Sequence, residues 1–294
     1  MHAYLIIAHD QWELLKRLVE ALDDCKNDIY INLNYKEKRI LDDIRTRAKY
    51  SKVYFIRNCR VTWGGYSQIR CELGMLAEAL GRGEYEYLHL LSGTDFPLKS
   101  QREIHQFFDR NQGKEFVHFE SQSFPEYDRE KIDCYYPLQE FIGKEKKSLL
   151  YKLQRCLVHV QLACHMNRHR HDGIAFYKGA NWFSITGSFA SYLVNRKQRI
   201  YELFKHSKCC DEIFLQTMLI NSAYKENLYM EQMDNDYRMC MRYIDWNRGT
   251  PYVFTNDDYR ELICSDRMFA RKFDYDRYPE LIDRLLEHVK EREV

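Results

Sequence analysis

The chain has 294 residues, 45% hydrophobic and 30% charged, with a formal net charge of +1. That length buries a substantial core, as one large domain or two smaller ones, and the charge balance disfavours a polyanion-binding role, so no nucleic-acid partner is expected. No apolar run approaches the ~20 residues needed to span a bilayer. Met1–His9 enters a strand pattern directly, without a basic leader and cleavage site, which gives a cytoplasmic expectation. Ten cysteines are scattered along the chain, and the adjacent pair Cys209-Cys210 lacks zinc-ligand spacing, so they read as free thiols.

Strands and helices alternate in the first 120 residues. Ala3–Ala8 reads as a strand and Gln11–Leu22 as a helix with Leu14, Leu15, Leu18, Val19 and Leu22 on one face. Strands at Asp28–Leu33 and Val53–Ile56 flank a charged helix at Lys36–Arg47. A helix at Tyr66–Leu80 follows Trp63-Gly64-Gly65, and Tyr85–Leu91 is a short aromatic and aliphatic strand. Gln101–Arg110 reads as a helix and Glu115–Phe119 as a strand. This rhythm predicts an α/β fold with a mainly parallel central sheet and helices on both faces.

The segment Ser121–Lys147 is polar, holds Pro125 and Pro137, and shows no sustained period, so it reads as a long surface excursion of the functional kind. Ser148–Met166 returns to helix, with Leu149, Leu150, Leu153, Leu157 and Val160 on one side. Lys146, Lys147, Lys152 and Arg155 lie near it and Arg168-His169-Arg170-His171 closes it. The basic segment 144–171 is either a solvated face or a helix in peripheral contact with an anionic membrane. Beyond Gly179 the pattern gives a strand at Trp182–Thr186 and helices at Ser188–Lys205 and Asp211–Ser222. Strands at Asn227–Met230 and Cys240–Ile244 follow, then a closing helix at Pro279–Lys290. No repeat is present.

Ser92-Gly93-Thr94-Asp95-Phe96-Pro97-Leu98 stands at the carboxyl end of the Tyr85–Leu91 strand, where open α/β sheets bind ligands. Gly93 permits close backbone approach and Pro97 fixes the exit direction, although a tight turn capped by Asp95 uses the same residues. Asp211 suits an N-cap and Glu212 a first helical turn, where the helix dipole favours its ionised form. Glu212 is then either a cap residue or a general base that takes a proton from a hydroxyl. Phe269-Ala270-Arg271-Lys272-Phe273-Asp274 sets two cations between aromatic anchors. They are an ordinary surface pair or a diphosphate clasp, Arg271 by bidentate hydrogen bonds and Lys272 as a point charge.

Trp63-Gly64-Gly65 offers a flat ring beside a flexible turn, a way to seat a sugar. Trp246 reads the same way, whereas Trp182 reads as core packing. Asp234-Asn235-Asp236 has the spacing by which many nucleotide-sugar enzymes hold a divalent ion, but it sits late in the chain rather than at Ser92–Asp95. No phosphate-binding Gly-Lys-Ser loop, Gly-x-Gly-x-x-Gly or Gly-x-Ser-x-Gly elbow is present, which disfavours kinases, dinucleotide oxidoreductases and serine hydrolases.

Taken in order, the chain resembles the core-2/I-branching family of β-1,6-N-acetylglucosaminyltransferases, which includes the peptide O-xylosyltransferases. The stretches that carry this are Ala3–His9, Val61–Ser67, Leu91–Leu98, Lys178–Phe183, Asp211–Thr217, Tyr243–Asn247 and Phe269–Asp274. The resemblance implies a single GT-A-type domain over 1–294. Its parts would be a nucleotide-sugar half at 1–120, an insertion and helix at 121–175, and an acceptor and catalytic half at 176–294. It also implies inverting, metal-free transfer of a sugar, GlcNAc foremost, from a UDP-sugar to a hydroxyl of a glycan or lipid-linked glycan acceptor. Glu212 matches the family's base, and Arg271 and Lys272 match basic residues that take the place of a metal ion. His9, Asn34, Trp63, Gly64, Thr94 and Asp95 fall on the donor side, and Trp246 and Asn181 on the acceptor side; the acceptor is expected under Ser121–Lys147, with Glu120 at the end of the Glu115–Phe119 strand as a further contact.

Three departures stand out. Asn34 occupies the place of a nucleoside-contacting aspartate, and Asn181 replaces an aspartate of the xylosyltransferases, which argues against xylose. The membrane anchor and stem of Golgi members do not appear, as expected for a bacterial-type enzyme of surface-polysaccharide synthesis. Three other readings remain open: a metal-dependent transferase using Asp234 and Asp236, a non-catalytic carbohydrate- or nucleotide-binding protein of this fold, and a two-carboxylate glycosidase.

Overall fold

A computed structural model describes residues 1–33, 38–56 and 60–292. The central sheet has six strands: β1 (His2–Ala8), β2 (Asn27–Leu33), β3 (Lys52–Ile56), β4 (Tyr87–Ser92), β6 (Phe116–Val117) and β7 (Phe183–Thr186), in the order β3-β2-β1-β4-β7-β6. β1 pairs in parallel with both β2 and β4, and β2 with β3. β7 runs antiparallel to β4 and β6, so the expected mainly parallel sheet carries one reversed strand near its edge.

Both faces of this sheet are covered, which is why its strands read as near-continuous apolar runs. Along β1, Ala3 and Leu5 join a core with Ile69 and Leu76 of the helix Ser67–Leu80 and Phe189 of the helix Gly187–Asn195. The alternate residues Tyr4, Ile6 and Ala8 pack with Leu14 and Leu18 of the helix Trp12–Ala21 and Leu285 of the helix Pro279–Glu291. The period-2 alternation of a strand thus divides one segment between two cores.

A second sheet of three strands lies against the first, in the order β5 (Phe96–Pro97), β9 (Phe269–Arg271), β8 (Arg242–Ile244). β5 follows β4 after a short turn and pairs antiparallel with β9, Phe96 opposite Ala270. β9 pairs in parallel with β8. Through this small sheet, residues far along the chain reach the carboxyl end of β4.

Several elements differ from expectation. The helix predicted over 188–205 breaks at Arg196 into Gly187–Asn195 and Lys197–Phe204. Its amino end is capped by Thr186, whose hydroxyl accepts from the Phe189 N–H at 3.2 Å. The predicted strand Asn227–Met230 reduces to a bridge between Glu115 and Leu228 beyond a 3₁₀ turn. The excursion over 121–147 contains short helical turns at Glu126–Asp128, Glu130–Asp133 and Gln139–Ile142, too brief to show a sequence period. The nine described cysteines are free thiols. Among the described residues, no helix is long and apolar enough to cross a membrane.

Candidate active site

The turn after β4 is closed by Asp95. Its carboxylate accepts from the Ser92 N–H at 2.8 Å and the Ser92 hydroxyl at 2.7 Å, and the Asp95 N–H donates to the Ser92 carbonyl at 3.2 Å. The Thr94 carbonyl accepts from the Phe273 N–H at 3.0 Å, which ties the turn to the chain just beyond β9. Arg271, the last residue of β9, brings its Nε to 3.5 Å from Asp95 Oδ1, and its guanidinium lies 4.0 Å from the centre of the Trp182 ring. Trp182 is therefore a platform for this cation as well as a core residue.

Burial pushes the Asp95 carboxyl up, and the Arg271 charge opposes that shift. Among the described residues the Arg271 guanidinium makes no hydrogen bond, its buried Nε included, so it has donors to spare. Lys272 is half-buried, and its backbone is held by Tyr252 and Phe254 at 3.4 and 3.0 Å.

Glu212 sits in different local structure from that predicted. Cys210–Glu212 is a 3₁₀ turn, Ile213 breaks the chain at φ −127°, and the helix begins only at Phe214. Asp211 makes no capping bond, so a helix dipole does not set the charge of Glu212. Burial instead raises the pKa of Glu212, opposed by the nearby ammonium groups of Lys178 and Lys131. Asp211 is raised too, by burial and by its carboxylate neighbour. A carboxylate partly desolvated in this way is a stronger base than a solvated one.

Backbone packing holds this turn. The Gly179 N–H donates to the Glu212 carbonyl at 2.9 Å, and a Cβ on Gly179 would lie 1.8 Å from the His118 carbonyl oxygen, so only glycine fits. The preceding Lys178 bridges Glu120 at 2.7 Å and Asp128 at 2.8 Å, and Lys131 also pairs with Asp128. On the other side, the Cys209 N–H donates to the Gly64 carbonyl at 2.9 Å. Gly64 takes φ +70°, and this left-handed turn leaves the ring of Trp63 44% exposed beside the Glu212 segment.

Tyr237 connects the two clusters. It lies within electrostatic reach of Glu212, Arg271 and the Trp246 indole, and stacks on His118 with ring centres 4.1 Å apart. Trp246 is itself 49% exposed. Tyr237 thus links the Glu212 turn to Arg271 and Trp246, and the Cys209–Gly64 bond links it to Trp63.

A family model described as Core-2/I-Branching enzyme matches residues 2–265. The chain belongs to that family. Similar curated proteins include Xylosyltransferase 2 of Rattus norvegicus, 24% identical over 315 residues, covering 98% of this chain and 33% of the relative. Another is Xylosyltransferase oxt of Drosophila pseudoobscura pseudoobscura, 24% identical over 282 residues, with 88% and 30% covered. This chain spans about a third of the length of those relatives. Among solved structures, mouse Xyloside xylosyltransferase 1 in its apo form aligns at a TM-score of 0.36 with 10% identity, covering 92% of this chain and 97% of that one.

The remaining site residues of this Core-2/I-branching chain are placed as follows. His9 is exposed just past β1, with Nε2 3.4 Å from Asp10. Thr94 is nearly buried, its hydroxyl 3.0 Å from that of Ser92. Asn181 is buried and donates to Glu72 at 3.0 Å, which makes it part of the wall. Glu120 is held by Lys178 and by the Tyr127 hydroxyl. Asn34 lies outside the described residues.

Asp236 caps the 3₁₀ turn Tyr237–Cys240, accepting from the Arg238 N–H at 2.7 Å, and pairs with the guanidinium groups of Arg238 and Arg267. That arrangement uses its oxygens for structure and leaves it a poor metal ligand. Sequence reasoning overlooked Tyr237, Lys178, Lys131 and Asp128. Lys178 was visible as the first residue of the Lys-Gly-Ala-Asn-Trp-Phe motif, but the other three carry no local signal.

Proposed function

We propose that the chain is an inverting glycosyltransferase that moves a sugar from a UDP-sugar to a hydroxyl of a glycan or lipid-linked glycan, without a metal ion. The observation that carries this reading is the Arg271 guanidinium, anchored on Asp95 and Trp182 at the turn after β4 with donors to spare. Glu212 takes the proton of the acceptor hydroxyl as its oxygen attacks the anomeric carbon from the face opposite UDP. The bond from that carbon to the diphosphate oxygen breaks. Arg271, with Lys272, meets the charge that grows on the departing diphosphate. Trp63 and Trp246, both exposed, give the donor sugar and the acceptor flat surfaces.

GlcNAc is the donor sugar of this reading, and a β-linkage follows from inversion. The setting is surface-polysaccharide synthesis on the cytoplasmic side. The names of the curated relatives favour UDP-xylose as a second reading. Against it stands Asn181, a neutral amide that donates to Glu72 at the position where the family resemblance leads one to expect an aspartate for xylose transfer. UDP release measured across UDP-GlcNAc, UDP-Glc, UDP-Gal, UDP-GlcA and UDP-Xyl decides. The fastest release is expected with UDP-GlcNAc, a preference for UDP-Xyl establishes the second reading, and tight UDP binding without release from any donor leaves a binding protein.

A further inference from the structure

The helix Leu149–Ala163 turns its polar side inward. Gln154 accepts from the Leu138 N–H at 2.8 Å, and Gln161 accepts from the Tyr135 N–H at 2.7 Å and donates to the Tyr135 carbonyl at 3.0 Å. Arg155 pairs with Glu130 at 3.0 Å. With Val158, buried against Cys134 and Tyr136, these residues fasten the helix to the protein.

The apolar side points away. At 3.6 residues per turn, Leu149, Val160, Leu153, Leu157 and Leu150 fall in one stripe about 100° wide. All five are exposed, Leu149 at 81% and Val160 at 62%. A soluble surface helix normally presents the opposite arrangement, and a contiguous exposed apolar stripe marks a contact surface.

The charge beside the stripe identifies what covers it. Lys144, Lys146, Lys147 and Lys152 are all exposed, with Glu145 the acid among them, in a chain whose net charge is only +1. A second copy laid along the stripe would oppose these lysines to each other. Laid the opposite way, it would set them against the exposed Arg170 and His171 beyond the far end. Phosphate headgroups over an acyl layer satisfy both features at once. We infer that this helix docks on an anionic membrane surface, with the stripe at the boundary of headgroups and acyl chains and the lysines on the phosphates. This contact is separate from the transfer chemistry and holds or fails without it.

Co-sedimentation with phosphatidylcholine vesicles, with and without phosphatidylglycerol, tests it. The full chain is expected to sediment with the anionic vesicles and not with phosphatidylcholine alone, and to be released by salt. The double variant Leu153→Glu/Leu157→Glu should lose binding by roughly tenfold or more, since both positions are exposed and substitution leaves the fold intact. The triple variant Lys146→Gln/Lys147→Gln/Lys152→Gln should weaken it by a similar factor. Equal binding by all three proteins, no sedimentation of the unmodified chain, or a solution dimer that Leu153→Glu dissociates would each overturn the inference.

Discussion

The Nε of Arg271 lies 3.5 Å from Oδ1 of Asp95, across the junction between the small sheet and the carboxyl end of β4. Asp95 is 1% exposed, and its other bonds go to Ser92, so the carboxylate fixes where the guanidinium stands. Orientation of this kind is specific to arginine. A lysine at 271 keeps the charge but loses the planar stack on Trp182 and the forked donors. Arg271→Lys is expected to lower kcat/KM for the UDP-sugar by roughly 10²–10³. Its melting temperature should stay close to that of the unmodified chain. Turnover within a factor of two would remove Arg271 from the reaction.

Glu212 gives a second expectation, in pH. Burial raises its pKa above the ordinary 4.5, and Lys178 and Lys131 hold that rise in check. The base acts deprotonated, so the acid limb of kcat/KM should lie above the usual carboxylate range. Removing the Lys178 charge favours the neutral acid further. Lys178→Met should therefore shift the limb to higher pH, and Lys178→Arg should restore it. Glu212→Gln should retain UDP affinity while turnover collapses. An unmoved acid limb in Lys178→Met, or undiminished turnover in Glu212→Gln, contradicts the assignment.

Stability has its own pH dependence, away from the site. Glu115 is fully buried, accepts from the Thr186 hydroxyl at 2.5 Å and the Thr186 N–H at 2.9 Å, and is pushed up to about 7 by burial. A carboxyl raised in the folded state stabilises fully below its unfolded pKa. That contribution is lost as pH rises through about 7. The loss amounts to about 3 kcal/mol once the group is ionised. Glu115→Gln, which keeps an acceptor and a donor for Thr186, should flatten the decline in stability between pH 5 and pH 8 seen by urea unfolding. Parallel pH profiles for the two proteins would show that Glu115 does not titrate there.

The fold was legible where periodicity was strong. β1, β2, β4 and the helices Trp12–Ala21, Ser67–Leu80, Gln101–Arg110 and Pro279–Glu291 lie within a few residues of their predicted bounds, because the strands are short apolar runs and the helices carry a clear apolar face. The break at Arg196 and the 3₁₀ turn at Cys210–Glu212 were not legible. Helix-forming residues continue through both, and tertiary packing decides where the ladder stops.

The site was legible in part. Arg271, Asp95, Glu212, Trp63 and Trp246 belong to contiguous motifs, and the structure brings Arg271 to Asp95. Tyr237 and the Lys178–Asp128–Lys131 cluster gain their meaning only from long-range packing that no spacing encodes. The leucine stripe of 149–160 was visible as amphipathic, but its outward orientation was not, since sequence does not say which face a helix docks by.

Chelation of the unmodified chain, alongside Arg271→Ala, separates a metal ion from the guanidinium as the group that meets the diphosphate charge, with UDP release from the preferred donor as the readout. Full activity in EDTA is expected for the unmodified chain, and for Arg271→Ala a loss of roughly 10²–10³ that manganese does not restore. Loss of the unmodified chain's activity on chelation, recovered with manganese, would contradict it.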